Sequence, residues 1–350
     1  MKNNDTTQHF ILSRTDNIGD VVLSLPVAHL LKKAYPGCKI SLLSKQYTAS
    51  IAKHCPDIDT HIDWTHLATL DATQQVKILK NLQCDCIIHI FPNPTVAKLA
   101  KAAKIKQRIG SSRRWYHWLT CTNKIKFSRS KSNLHEAQLN LKLLGPLKID
   151  SDISIPELSP MIKLQQPMLT DSNTTLKHLI EPNRFNLVLH PLSNKSAREW
   201  PTQNFIQLCQ YLPKDRFNII FTGSKNESDF IKSKIMPHCP NAIDASGKVT
   251  LDELISLLHS ADGIVVGSTG PLHIAAACGT RALGLFPPQH NIHPRRWGPI
   301  GTHAQFLISQ PDCQQQCSNS NCLCMQNITV NQVKKIVMQW SKQKEAICPA

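Results

Sequence analysis

Short apolar runs alternate along this chain with longer stretches in which apolar residues recur at helical spacing. In the first half, Phe10–Leu12, Ile40–Leu43 and Cys86–Ile90 predict strands. A segment reaching about Ala34, and the segments Thr73–Leu82, Thr95–Ala103 and Asn133–Leu144, predict helices. The pattern then restarts, with strands expected at Phe185–His190, Asn218–Thr222 and Gly263–Val266 and helices at Thr202–Leu212, Glu227–Met236 and Leu251–Ser260. Such alternation predicts an α/β chain of two doubly wound parallel sheets. Between them Ile149–Pro167 is rich in Pro, Ser and Asp, lacks periodicity and reads as a linker. The expected division is residues 1–160, residues 168–328, and a terminal segment 329–350 whose helix Val330–Lys344 packs back on the first domain.

Two strand ends carry candidate chemistry. The strand Gly263–Val266 runs into Gly267-Ser268-Thr269-Gly270-Pro271-Leu272-His273, a glycine turn that opens a helix. The amides of Thr269, Gly270 and Leu272 are expected to point outward there, and the helix dipole adds partial positive charge, so the turn suits a phosphate. Pro271 fits the first helical turn, and the His273 ring is placed to reach the same anion. A strand–turn–helix unit with no ligand is the plain alternative. The second turn is Ser13-Arg14-Thr15-Asp16-Asn17-Ile18-Gly19-Asp20, after the first strand. Gly19 permits a tight or positive-φ turn, and Asp20 is either a helix cap or, if it faces a phosphate site, a base.

With further segments the chain resembles glycosyltransferase family 9, the heptosyltransferases that add ADP-activated heptose to the inner core of lipopolysaccharide. The resemblance is carried by residues 14–26, by His190-Pro191 with Lys195 and Arg198-Glu199-Trp200-Pro201, by Gly223 with Glu227, by residues 247–254, by the turn around Thr269 and by residues 324–329. It implies a GT-B architecture of two Rossmann-like domains facing across a cleft, with ADP-heptose held by the second and the acceptor by the first. It further implies that Asp20 is the catalytic base of a one-step inverting displacement, without metal or other cofactor and without a covalent intermediate. Lys195, Thr269 and Gly270, supported by Ser193 and His273, are the candidates for the leaving diphosphate. Glu227 is a candidate for the ribose hydroxyls or, alternatively, dresses a helix start. Ser268 is a departure, because many members carry aspartate there; a transferase for another nucleotide sugar is the runner-up. The candidate acceptor residues are Arg113 and Arg114, in a basic-aromatic segment from Lys104 to Trp118. That segment also fits an RNA-binding loop, or a solvated loop with Trp115 and Trp118 packed inward.

Composition changes this picture little. The net charge of +16 favours an anionic partner, and a basic nucleic-acid-binding protein is the alternative of another class. The resemblance argues against nucleic acid and for transient contact with a membrane surface. No run approaches the roughly 20 apolar residues of a membrane span, and Met1–Gln8 is polar, so a cytoplasmic protein peripheral to the inner membrane is expected. Of the 13 cysteines, Cys38, Cys84, Cys86, Cys209 and Cys278 lie in apolar segments and read as reduced core residues, and the odd total leaves at least one thiol free. Cys313, Cys317, Cys322 and Cys324 cluster in a polar loop; reduced or occasionally oxidised thiols are favoured there over a structural zinc.

Overall fold

A computed structural model describes residues 8–168, 178–194, 196–309 and 323–347. They form two compact units dividing between Gln165 and Gln166. In the first unit the strands are β1 (His9–Ser13), β2 (Lys39–Ser44), β3 (Thr60–Asp63), β4 (Cys86–His89), β5 (Gln107–Ser111) and β6 (Asn123–Ile125). They make a parallel sheet in the order β3-β2-β1-β4-β5-β6. The second unit contains β7 (Phe185–His190), β8 (Phe217–Phe221), β9 (Ile243–Asp244), β10 (Gly263–Gly267), β11 (Arg281–Phe286) and β12 (Ala304–Ile308). Its parallel order, β12-β11-β10-β7-β8-β9, is the first order read from the opposite edge. Each sheet therefore reverses direction at its centre, between β1 and β4 and between β7 and β10, where ligands of open parallel sheets collect beyond the strand ends.

Local sequence explains where the elements begin and stop. The first helical stretch is two helices, Ile18–Val22 and Leu25–Ala34. Pro26, in the first turn of the second, has no N–H to continue a ladder, and the Ser24 hydroxyl donates to the Val21 carbonyl at 2.6 Å. Gly19 lies within the first helix and not in a left-handed turn, so it does not supply the positive φ expected of it. The helix expected from Asn133 begins at Glu136, because His135 caps it: its Nδ1 accepts from the Ala137 amide and its own amide donates to Gln138. Glu227–Met236 is a single helical turn, Ser228–Phe230, followed by wider and then tighter turns that end at His238.

The expected linker is also more ordered than its composition suggests. Ser154 and Glu157 close a capping box around a short helix, Ile155–Leu158, and Leu158, Ile162 and Leu164 are buried. These apolar anchors were too widely spaced to register as periodicity.

The terminal helix Val330–Ile347 belongs to the second unit. Val333, Val337 and Trp340 join the core formed by Phe185, Phe205 and Phe217. A Cβ on Gly263 would lie 3.0 Å from the Trp340 ring, so the glycine leaves room for the indole. Lys344 pairs with Asp262 at 2.7 Å. The apolar stripe thus covers the sheet that its own unit leaves open. Cys38, Cys84 and Cys86 are buried, whereas Cys209 and Cys278 are half-buried; all are free thiols. Cys313, Cys317 and Cys322 lie outside the described residues, and Cys324 is half-buried.

Candidate active site

At the centre of the first sheet, β1 ends at Ser13 and hands the chain to Arg14, whose amide still donates to the Leu43 carbonyl at 3.0 Å. This backbone bond fixes the direction of a guanidinium that is only 2% exposed. Its Nη2 donates to Asp20 Oδ1 at 2.5 Å, its Nε lies 2.9 Å from Asp16 Oδ1, and its Nη1 lies 3.3 Å from Glu136 Oε1. Glu136 also accepts from Arg129 Nε at 2.9 Å, and Arg129 Nη2 donates to Asn140 Oδ1 at the same distance. Asn140 in turn donates to the Leu23 carbonyl, tying the cluster to the break between the first two helices. Two arginines and three carboxylates are therefore interlocked, which is the arrangement a low-dielectric interior requires of buried charge.

Within this cluster the carboxylates differ in access. Glu136 is 1% exposed, whereas the side chains of Asp16 and Asp20 are 16% and 14% exposed. Asp20 thus presents a carboxylate oriented by a buried cation at the edge of the switch point. Burial pushes the Asp16 carboxyl up to about 7, and repulsion from Asp20 and Glu136 acts in the same direction, against the pull of Arg14. Burial works against the Arg14 charge, but its three carboxylate partners outweigh it and hold the guanidinium ionised. Asp20 was singled out by sequence; Asp16, Glu136, Arg129 and Asn140 were not. Arg14 and Asp16 lay within a recognised motif, but the partners 115 or more residues away carried no signal before the sheet order was known.

Beside Arg14, Ser13 stands opposite His89 in the β1–β4 register. The Ser13 hydroxyl, both ring nitrogens of His89 and Nε2 of His117 are buried without a hydrogen-bond partner among the described residues. The two imidazoles lie 5.4 Å apart, and His117 Nδ1 is 2.8 Å from the Ser111 carbonyl. Burial pulls His89 down to about 3.

Arg113 and Arg114 are exposed on the loop after β5. In the helix that follows, Trp115–Thr120, it is Tyr116 and His117 that turn inward, so the alternative in which Trp115 and Trp118 pack inward is not realised.

The second unit repeats the design with different chemistry. β7 ends at His190, which lies opposite Val266 in the register, so the loops after β7 and β10 leave the sheet side by side. The Arg198 carbonyl is 3.3 Å from the position a Cβ would take on Gly267. His190 Nδ1 bonds Thr222 Oγ1 at 2.9 Å, and burial pulls its imidazole down to about 4 although Glu227 pulls the other way.

Two carboxylates hold the loop after β7. Glu199 Oε1 accepts from both the amide and the hydroxyl of Ser193, at 2.8 and 2.7 Å. Glu227 Oε1 accepts from the amide of Asn194 at 2.6 Å, and its Oε2 from the amide and hydroxyl of Ser224 at 2.7 Å each. Asn194 sits between these clamps with a φ of 47°. Ser193 and Glu227 therefore shape the loop; Glu227 stands at the start of the helix Ser228–Phe230, but its carboxylate accepts from no amide of that helix. Lys195, on the same loop, lies outside the described residues.

At the β10 turn, Thr269 caps the helix Gly270–Ala277 in extended conformation, with Pro271 in the first turn. The Thr269 amide donates to Gly267 and the Leu272 amide to Thr269, so two of the three amides expected to point outward are engaged within the turn. The amide of Gly270 has no such partner among the described residues, and the buried hydroxyl of Thr269 has none either. Ser268 is half-buried at the head of the turn, and His273 is buried one turn into the helix. An amide and a hydroxyl without internal partners, at the positive end of an eight-residue helix, suit an anion.

Comparison with known proteins bears on both units. The family model for glycosyltransferase family 9 (heptosyltransferase) matches residues 73–325. A Haemophilus influenzae protein with a provisional glycosyltransferase assignment is 27% identical over 84% of this chain and 86% of its own length. The lipopolysaccharide core heptosyltransferase OpsX of the same organism is 25% identical, covering 82% of this chain and 80% of that protein. Among solved structures, Escherichia coli ADP-heptose lipopolysaccharide heptosyltransferase II has a TM-score of 0.75 at 16% identity, covering 97% of this chain and all of the other. That likeness establishes a shared fold, with two parallel sheets of the GT-B type. The strand order, the two switch-point sites and a family match spanning most of both units lead to one conclusion: the chain belongs to glycosyltransferase family 9, the heptosyltransferase family.

Proposed function

We propose that the protein transfers a heptose from ADP-heptose to the inner core of lipopolysaccharide, with inversion and in one step. The observation that carries the reading is the unpartnered Thr269 hydroxyl beside the Gly270 amide at the head of an eight-residue helix, in a chain of this family. In the proposed reaction an acceptor hydroxyl attacks the anomeric carbon as the bond from that carbon to the diphosphate oxygen breaks. Asp20 takes the hydroxyl proton, and ADP leaves as an anion received by Gly270 N–H and Thr269 Oγ1. Arg14 keeps the Asp20 carboxylate in one orientation, so no side-chain freedom is lost on reaching the transition state. Lys195 and His273 remain candidates for the diphosphate, and Arg113 and Arg114, with no internal salt bridge among the described residues, for the phosphates and carboxylates of the core acceptor.

Relatives named for lipopolysaccharide and solved structures titled with ADP and an ADP-heptose analogue support the choice of donor and acceptor. With an acceptor of that kind, the proposed site of action is the cytoplasmic face of a membrane, visited as a peripheral protein. Among the described residues no helix is long and apolar enough to cross one.

The deciding experiment is a thermal-shift panel of nucleotide sugars, followed by mass analysis of core oligosaccharide from cells lacking the protein. Stabilisation by ADP-heptose above other nucleotide sugars, with a core shortened by one heptose, is expected. Stabilisation by a different sugar nucleotide would reassign the donor. Asp20→Asn is expected to abolish turnover with ADP affinity retained; near-normal turnover would remove Asp20 from the role of base.

A further inference from the structure

The helix Trp115–Thr120 carries three large apolar side chains on its outer face. Trp115, Trp118 and Leu119 are 73%, 63% and 65% exposed, at positions i, i+3 and i+4, while Tyr116, His117 and Thr120 fill the inner face. The Trp118 Nε1–H donates inward to the Ser112 carbonyl at 3.0 Å, so the polar edge of that indole is satisfied and its apolar part faces outward. Exposing adjacent large apolar side chains is unfavourable unless something covers them.

The surroundings identify what would cover them. Residues 86–135 contain 11 Lys and Arg and no Asp or Glu. Lys98 and Lys101 are exposed on the helix Pro94–Ala102, which packs against Trp115–Thr120. Arg113, Arg114 and Lys126 are also exposed, and Lys124 Nζ stands 5.5 Å from the Trp118 ring. Indoles flanked by cations suit the layer where headgroups meet acyl chains, and juxtamembrane cations are attracted to anionic lipid. Leu119 favours lipid over single-stranded nucleic acid, because an aliphatic side chain gains from hydrocarbon but offers no stacking face to a base.

We propose that the helix Trp115–Thr120 and its basic surround are a docking surface for anionic phospholipid bilayers, with Trp115, Trp118 and Leu119 entering the interfacial layer. The surface lies within the first unit and does not depend on the transfer reaction, so either idea can fail alone. The occupant is lipid, and the basic residues set the preference for negative headgroups.

The test is cosedimentation of the full chain with phosphatidylcholine vesicles, with and without phosphatidylglycerol, in the absence of donor and acceptor. Binding is expected with phosphatidylglycerol, weakening as salt is raised. Trp115→Ser with Leu119→Ser is expected to weaken it by roughly tenfold or more, from the apolar area withdrawn, with an unchanged melting temperature. Lys98→Glu with Lys101→Glu, on a different helix, is expected to reduce binding to the anionic vesicles by roughly tenfold as well, and decides the matter if the first variant fails to fold. Absence of binding by the unaltered chain, or binding unaffected by both charge and apolar variants, overturns the proposal. So does single-stranded RNA that binds more tightly than the vesicles, displaces them and is lost with the same variants.

Discussion

Replacing Arg14 with methionine tests whether the buried charge cluster organises the first unit. The change keeps an unbranched apolar stem of similar reach but leaves Asp16, Asp20 and Glu136 without their shared cation. Breaking a buried ion pair from one side costs roughly 3–5 kcal/mol, because the surviving charge stays buried. Two features of the structure place this case at the lower end. Arg129 still neutralises Glu136 at 2.9 Å, and Asp16 and Asp20 retain 16% and 14% of their surface in water. The expected loss is therefore about 3 kcal/mol at pH 8, or a melting shift of the order of 6–12 °C for a unit of this size.

The pH dependence of that loss has a definite sign. Burial already pushes the Asp16 carboxyl up to about 7, and removing Arg14 takes away the charge that opposes this. A folded-state pKa above the unfolded value means that the folded chain binds more protons, so stability is gained on acidification and lost as pH rises through the folded pKa. The deficit of Arg14→Met relative to the unaltered protein should thus shrink between pH 8 and pH 5.5. Urea unfolding at the two pH values measures it. A deficit below about 1 kcal/mol at pH 8, or one that grows on acidification, would show that the cluster is not the buried electrostatic lock described.

Three further substitutions follow from the same geometry. His89, pulled down to about 3 by burial, stays neutral when folded, so its contribution to stability is present above pH 6.5 and is lost as pH falls toward 3. At pH 5 this amounts to about 2 kcal/mol, and His89→Leu should flatten the decline of stability between pH 7.5 and 5 by that amount; an unchanged slope in urea titrations refutes it. Thr269→Val keeps the shape of the side chain and removes a buried hydroxyl without a partner, so stability should hold while ADP affinity falls by roughly fivefold in calorimetry; equal affinity would exclude the hydroxyl as a phosphate ligand. Glu227→Gln turns a donor toward either Asn194 or Ser224, both of which donate to the carboxylate, and should lower the stability of the ligand-free protein by about 1–3 kcal/mol. Loss of ADP affinity with unchanged ligand-free stability would instead return Glu227 to the ribose.

The central strands of both sheets were legible because they are buried on two faces and carry apolar runs, as Gly263–Val266 does. Edge strands were not. β3, Thr60–Asp63, and β6, Asn123–Ile125, are polar, short and half-buried, and only their neighbours make them strands. The same limit governed Ile149–Pro167, where three isolated apolar anchors dock a segment that composition marks as loose. Trp200 is a structural residue: its Nε1–H donates to the Ile328 carbonyl at 2.8 Å while the ring packs on Phe205.

Candidate chemistry was legible to the degree that backbone geometry alone produces it. The turn at Thr269 is such a case, since a glycine turn opening a helix after a buried strand leaves backbone donors at the positive end of the helix dipole. Side-chain roles were not, because they depend on partners distant in sequence. The sequence left Glu227 open between a ribose and a helix start, and showed neither its partners Asn194 and Ser224 nor the pairing of Ser193 with Glu199. Glu136 carried no signal until the sheet order brought it under Arg14. The two switch points therefore diverge although their strand orders are the same. At β1 a buried arginine gathers carboxylates and leaves one at the rim, whereas at β10 the helix start contributes an amide and a hydroxyl. The base and the anion seat of the proposed reaction need opposite local fields, and one topology offers a place for each by changing which residue follows the strand.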